Sequence, residues 1–140
     1  MKVVVDTNVL YAAFVSTEGT CARLLEGLIE ARAMVVSEYI LAELREHLSA
    51  KRGLPAELVD RQITFLIASS DVVGPAPVHE DACPDPDDLP VLGTLLAADA
   101  DCLVTGDKAL LKMKAFSGHP ILSPRAFLES LPPDARPCGR

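Results

Sequence analysis

Four acids stand where they could share a site: Asp6, directly after Val3-Val4-Val5; Glu43, within Ser37-Glu38-Tyr39-Ile40-Leu41-Ala42-Glu43-Leu44; Asp88, closing Asp85-Pro86-Asp87-Asp88; and Asp107, after Leu103-Val104-Thr105-Gly106. Carboxylates held close together repel, and each has its pKa raised unless a cation enters. A site made only of such oxygens suits Mg2+ or Mn2+ rather than zinc. A hard divalent ion held there activates water and stabilises charge developing on a phosphoryl oxygen. The chemistry implied is metal-assisted phosphodiester hydrolysis, with no nucleophilic Ser, Cys or His required. Asn8 and Thr105 add neutral oxygens nearby.

The elements that must position these acids follow from the apolar pattern. Lys2–Val5 is a β-branched strand, and a helix from about Cys21 to Glu30 gathers Cys21, Leu24, Leu25, Leu28 and Ile29 on one face. Ala33–Val36 is a second strand, after which Ser37 caps a helix from Glu38 to about Lys51 with Ile40, Leu41, Leu44 and Leu48 as its stripe. Pro55 suits the first turn of a helix whose expected face is Leu58, Val59, Ile63, Leu66 and Ile67. A short strand at Asp71–Val73 precedes an irregular loop from Gly74 to Pro86. Asp87 or Asp88 caps a helix carrying Val91, Leu92, Leu95 and Leu96, with Pro90 in its first turn. Cys102–Thr105 is a strand, Lys108–Lys114 a short helix, Pro120–Leu122 a last strand, and Ser123-Pro124 opens a final helix stopped by Pro132-Pro133. Short apolar strands alternating with helices predict an α/β fold, a three-layer α/β/α sandwich with a mainly parallel central sheet. Residues 1–131 are expected to form a single domain, and residues 132–140 a loose tail.

That topology places the acids. Ligands of an open α/β sheet bind outside the carboxyl ends of its strands, and right-handed crossovers start each helix at the same rim. Asp6 is the first residue past its strand, Asp107 lies two past Thr105, and Asp88 begins a helix. Glu43 lies about one and a half turns into its helix, roughly 9 Å from the start at 1.5 Å per residue, beside the apolar stripe rather than on it. Four carboxylates from four elements converge on one edge. Asp85 and Asp87 are read as solvated loop acids or supporting groups, and Asp88 is taken as the site acid among the three of this turn.

Composition narrows the rest. Twenty acidic against thirteen basic residues give a net charge of −7 over 140 residues, which argues against a surface that coats nucleic acid indiscriminately. Lys108, Lys112 and Lys114 follow Asp107 as a small cationic run, and Arg45, Lys51 and Arg52 form a second; both are either exposed helix faces or phosphate contacts. Cys21, Cys83, Cys102 and Cys138 contain no CxxC pair and read as reduced thiols. His79 and Cys83 are thin evidence for zinc, and His47 and His119 are isolated. Trp is absent and aromatics are few, so base stacking is not the main grip on a nucleic acid. No apolar run reaches the ~20 residues that span a bilayer, and the start is not a signal peptide, so a cytoplasmic protein without membrane contact is expected.

The ordered set Val3-Val4-Val5-Asp6-Thr7-Asn8-Val9-Leu10, Ser37 to Leu44, Asp85-Pro86-Asp87-Asp88 and Leu103-Val104-Thr105-Gly106-Asp107 resembles the PIN-domain ribonucleases. Ile121-Leu122-Ser123-Pro124-Arg125-Ala126-Phe127-Leu128 resembles that family's last strand and helix, so the likeness runs from about Lys2 to Leu131. It is greatest to the prokaryotic branch that includes the VapC-type toxins. The resemblance implies that Asp6, Glu43, Asp88 and Asp107 are catalytic, metal-binding acids supported by Asn8 and Thr105. It implies Mg2+- or Mn2+-dependent cleavage of single-stranded RNA; of the two cationic runs, Lys108, Lys112 and Arg45 are the candidate RNA contacts for that activity. It also implies a small antitoxin partner and a homodimer. Two other readings stay open: a non-catalytic acidic module that binds an ion or a basic partner, and an aspartate-dependent phosphoryl-transfer domain. The latter's haloacid-dehalogenase form wants a second Asp where Asn8 stands.

Overall fold

The computed structural model describes residues 1–135. Cys138 and the part of the expected tail from Arg136 onward lie outside the described residues. In chain order the elements are β1 (Val3–Val5), α1 (Thr7–Val15), α2 (Thr20–Glu30), β2 (Met34–Ser37), α3 (Glu38–Ala50), α4 (Ala56–Ser69), β3 (Asp71–Val73), α5 (Leu89–Ala98), β4 (Cys102–Val104), α6 (Lys108–Met113), β5 (Ala115–Phe116), β6 (His119–Leu122) and α7 (Pro124–Ser130). Single turns of 3-10 helix occur at Glu80–Ala82, Pro86–Asp88 and Pro133–Ala135.

The strands form one sheet in the order β3-β2-β1-β4-β6-β5. β1 pairs in parallel with β2 and β4, β2 with β3, and β4 with β6; β5 alone is antiparallel, against β6. Every residue of β1, β2 and β4 is buried, as expected for parallel strands covered on both faces. The fold is the expected α/β/α sandwich with a mainly parallel sheet. β1 and β4, adjacent at its centre, deliver Asp6 and the Thr105–Asp107 segment side by side.

Packing follows the apolar stripes in most helices. Leu24, Leu25 and Leu28 of α2, and Ile40, Leu41, Leu44 and Leu48 of α3, are buried as their spacing requires. Ser37 caps α3 through its hydroxyl, which accepts from the Ile40 N–H at 3.3 Å. Ser123 caps α7 in the same way at 3.1 Å from Ala126 N. On α4 only Val59, Ile63 and Leu66 of the expected face are buried; Leu58 and Ile67 are exposed. The core-facing stripe of that helix is one residue wide per turn; α4 packs against α3, and at the end of the sheet Asp71 and Val72 of β3 are exposed.

Two elements were not expected. α1 begins immediately after β1, where Asn8-Val9-Leu10 reads as continued apolar chain. Its nine residues are apolar over most of the circumference, so they carry no one-sided period to identify a helix. β5 and β6 form a hairpin through Ser117 and Gly118, both in the left-handed region with φ of 49° and 83°. Positive φ at both central residues is the geometry of the tight turn that matches strand twist, and Phe116 pairs with His119 across it.

Candidate metal centre

Asp6 follows β1 and caps α1: its Oδ1 accepts from the Thr7 N–H at 2.7 Å. It is 4% exposed. Its Oδ2 accepts a 2.7 Å bond from the Thr105 hydroxyl and a longer one, 3.4 Å, from Asn8 Nδ2. Burial pushes its pKa up, the Thr105 and Thr7 donors hold it down, and the charges of Glu43 and Asp107 raise it. A carboxylate is thus buried beside two others.

The same hydroxyl that donates to Asp6 accepts from Asp107 N at 3.0 Å, so Thr105 fixes both acids. Asn8 latches this loop to α1: its Oδ1 accepts from Gly106 N at 2.9 Å. A Cβ at Gly106 would stand 3.3 Å from that oxygen, a close approach that a side chain there would tighten. Asp107 caps α6, with Oδ2 accepting from Leu110 N at 3.2 Å.

Glu43 reaches the cluster from α3. The Thr7 hydroxyl donates to its Oε1 at 2.8 Å, and the Tyr39 hydroxyl stands 3.4 Å from its Oε2. Tyr39 also donates to the Asp87 carbonyl at 3.0 Å, joining α3 to the Pro86–Asp88 turn. Thr7 and Tyr39 were missed in the sequence. Thr7 directly follows a candidate acid, and Tyr39 precedes Glu43 by four residues, the spacing that puts two side chains on one helix face.

Of the three acids in that turn, Asp88 is the one directed inward. Asp85 and Asp87 are exposed; Asp85 caps the turn through Oδ1, which accepts from Asp87 N at 2.9 Å. Asp88 stands at the head of α5 without capping it. Its carboxyl is pushed up to about 7 by burial, then by the charges of Asp107 and Asp6, by a hydrogen bond shared with Asp107, and by Asp85. The structure therefore brings together all four acids named from the sequence, along with Asn8 and Thr105.

The cationic residues divide. Lys108 and Lys112 are exposed on α6, the helix that Asp107 opens. Arg45 instead pairs with Asp60 of α4, both side chains largely in solvent. His79 and Cys83 turn to separate tasks: His79 Nδ1 accepts from Asp81 N, and the Cys83 thiol donates to the Asp85 carbonyl.

Among the described residues, no three His, Cys, Asp or Glu side chains are already closed to the spacing that grips an ion. The chemistry of the donors nonetheless fits a hard divalent cation. They are oxygens only, the charges of their neighbours raise the pKa of Asp6 and of Asp88, and nothing but a proton or a cation relieves that repulsion.

A family model described as a PIN domain matches residues 2–109. No curated protein matches the chain significantly. Among solved structures, VapBC2 from Rickettsia felis bound to a DNA fragment from their promoter contains a chain similar to this one. The TM-score is 0.63 at 17% identity, covering 88% of this chain and 98% of that one. PAE2754 from Pyrobaculum aerophilum is similar at a TM-score of 0.60 and 16% identity, over 87% and 83% of the two chains.

Proposed function

The chain belongs to the PIN-domain family, and from that premise we propose that it is a Mg2+- or Mn2+-dependent endoribonuclease that hydrolyses single-stranded RNA. The observation that carries this reading is the buried Asp6, whose protonation is favoured by burial and then by the charges of Glu43 and Asp107, beside Asp88, which burial and the charges of Asp107 and Asp6 push the same way. Such an arrangement is costly to a fold and is characteristic of functional sites.

Asp6, Glu43, Asp88 and Asp107 would hold the ion. When bound, it supplies Lewis-acid stabilisation of phosphoryl charge and lowers the pKa of water. The chain's own groups do the rest. Thr105 and the Thr7 amide hold Asp6, and Asn8 ties the Thr105–Asp107 segment against it, so Asp6 and Asp107 are positioned before substrate arrives. Asp88, with a pKa of about 7, sheds its proton near neutrality and then becomes a full negative donor. Lys108 and Lys112 extend from the Asp107 helix, where they can meet RNA phosphates as positioning contacts.

The same reading makes the protein the toxin of a toxin–antitoxin pair, restrained by a small antitoxin. The likeness to a chain of the two-part Rickettsia felis assembly supports this partner. Residues 1–131 form the nuclease domain, residues 132–140 its tail, and the protein works as a cytoplasmic homodimer. No helix among the described residues is long and apolar enough to cross a membrane, which is compatible with that location.

Purified protein incubated with single-stranded RNA is expected to cut it with Mg2+ or Mn2+, and to stop on addition of EDTA or with Asp6→Asn. Cleavage surviving both changes removes the metal mechanism. Metal binding with no turnover on varied RNA assigns the chain instead to the non-catalytic acidic module. A covalent phosphate on Asp6 favours the phosphoryl-transfer alternative.

A further inference from the structure

We propose that Tyr39 is a positioning residue for the metal centre: its hydroxyl fastens the Pro86–Asp88 turn to α3 and so sets the separation of Asp88 from Glu43. The inference rests on the acidic cluster being the metal-dependent site proposed above.

The four acids are not held alike. Asp6 and Asp107 follow adjacent strands, cap their own helices, and share the Thr105 hydroxyl. Their spacing is therefore set by the central sheet. Glu43 is fixed on one oxygen by Thr7. Asp88, whose side chain shares a hydrogen bond with Asp107, has no strand end or helix cap to frame it. It ends a 3-10 turn that follows the irregular 74–85 stretch, and its side chain makes no cap to α5. The bonds within the turn, Asp87 N to Asp85 Oδ1 and Asp88 N to Asp85 O, shape it but do not tie it to α3.

Tyr39 supplies that tie. Its hydroxyl reaches the Asp87 carbonyl, 48 residues away, at 3.0 Å, while standing 3.4 Å from Glu43 Oε2. A phenol has one proton to give, so the nearer carbonyl takes most of it and the carboxylate shares the remainder. The ring is half-buried against the core, which limits how far the hydroxyl can swing. One side chain thereby spans the two elements that carry the least rigidly framed acids.

Tyr39→Phe deletes the hydroxyl and keeps the packed ring. Two measurements on the full chain test the idea. In metal-free protein, hydrogen exchange at the Asp88 and Leu89 amides should quicken roughly 2- to 10-fold, as for loss of one hydrogen bond. Calorimetric titration with Mn2+ should show affinity weakened about 10- to 100-fold, the usual effect of losing a group that orients a ligand. Cleavage by the variant should recover at saturating Mn2+. Thr7→Val, which releases Glu43 from its other side, should leave exchange in the 86–89 segment unchanged. Wild-type binding with unchanged affinity and exchange in Tyr39→Phe overturns the role of Tyr39 and leaves the nuclease standing. Lost activity that saturating Mn2+ fails to restore also overturns it. A wild-type chain that neither binds Mn2+ nor cuts RNA overturns the nuclease reading, and the role of Tyr39 falls with it.

Discussion

Thr105 shows how much of the site depends on groups that carry no charge. Its hydroxyl donates to Asp6 and accepts from the Asp107 amide, so Thr105→Val removes a donor to a buried carboxylate and frees the Asp107 segment. The shape of the side chain is kept, and the loss falls on hydrogen bonding alone. Metal affinity and cleavage rate are expected to drop about 10- to 100-fold, measured by Mn2+ titration and by RNA turnover; an unchanged affinity would show that Asp6 is held adequately by Thr7 and Asn8. Asp88 sets the pH response. Its folded pKa, about 7, lies above the ordinary 3.8, so between those values the folded chain keeps a proton that the unfolded chain has lost. Stability from this group is complete below about pH 4 and disappears as pH rises through 7. Asp6 is shifted in the same direction. The melting temperature of metal-free protein should therefore fall from pH 5 to pH 8, and Asp88→Asn should flatten that slope; a slope unaltered by the substitution would place the titration elsewhere. The four acids, Asn8 and Thr105 were legible in the sequence because each sits at a fixed offset from a strand end or helix start. Thr7 and Tyr39 were not, since a hydroxyl's partner depends on which helices meet.

At the scale of elements, strands and capped helices were readable wherever one face was apolar and an end was marked. β1, β2, α3 and α7 have such marks, in β-branched runs and in Ser37 and Ser123. α1 has an apolar surface nearly all round, and the β5–β6 turn depends on a serine adopting positive φ, a conformation with a weak sequence signature. α5 shows a constraint of another kind. Gly93, in the middle of that helix, is buried against the 75–76 segment: an added Cβ would lie 2.3 Å from the Ala76 carbonyl oxygen and 3.2 Å from Pro75 Cβ. The Gly93 carbonyl also accepts from Ala76 N at 2.9 Å. Glycine inside a helix ordinarily costs about 1 kcal/mol relative to alanine, so propensity alone favours Gly93→Ala. The clash is with backbone, which cannot rotate away, and it outweighs that gain. Net destabilisation of about 1–3 kcal/mol is expected from overpacking, read from denaturant unfolding. A neutral or stabilising result would mean that the 74–85 stretch yields freely, and that Asp88, at its far end, is not held by its docking on α5.

For the whole molecule the question is how a chain of net charge −7 engages a polyanion. Phosphate affinity comes from Lys and Arg, and for single strands the dependence of log affinity on log salt is about −0.7 per phosphate neutralised. Spread over the surface, thirteen basic residues against twenty acidic ones give no broad attraction. Binding then has to come from a few local cations beside the acidic cluster. Lys108 and Lys112 qualify by position, exposed on the helix that Asp107 opens. Arg45 does not qualify equally, because its guanidinium is already engaged by Asp60 of α4. The expectation is a shallow salt slope overall, measured by anisotropy of a labelled single-stranded RNA on the cleavage-deficient Asp6→Asn protein. Lys112→Ala should lower the magnitude of that slope by about 0.7, the signature of one lost phosphate contact. Arg45→Ala should leave the slope unchanged and alter stability by no more than about 1 kcal/mol, as for an exposed ion pair. The reverse pattern, with Arg45 moving the slope and Lys112 not, would put the RNA path along α3 and α4 and away from α6. A steep slope insensitive to all three cations would mean that RNA is gripped on a surface remote from the acids, and cleavage at Asp6 would then require the strand to bend back across the rim.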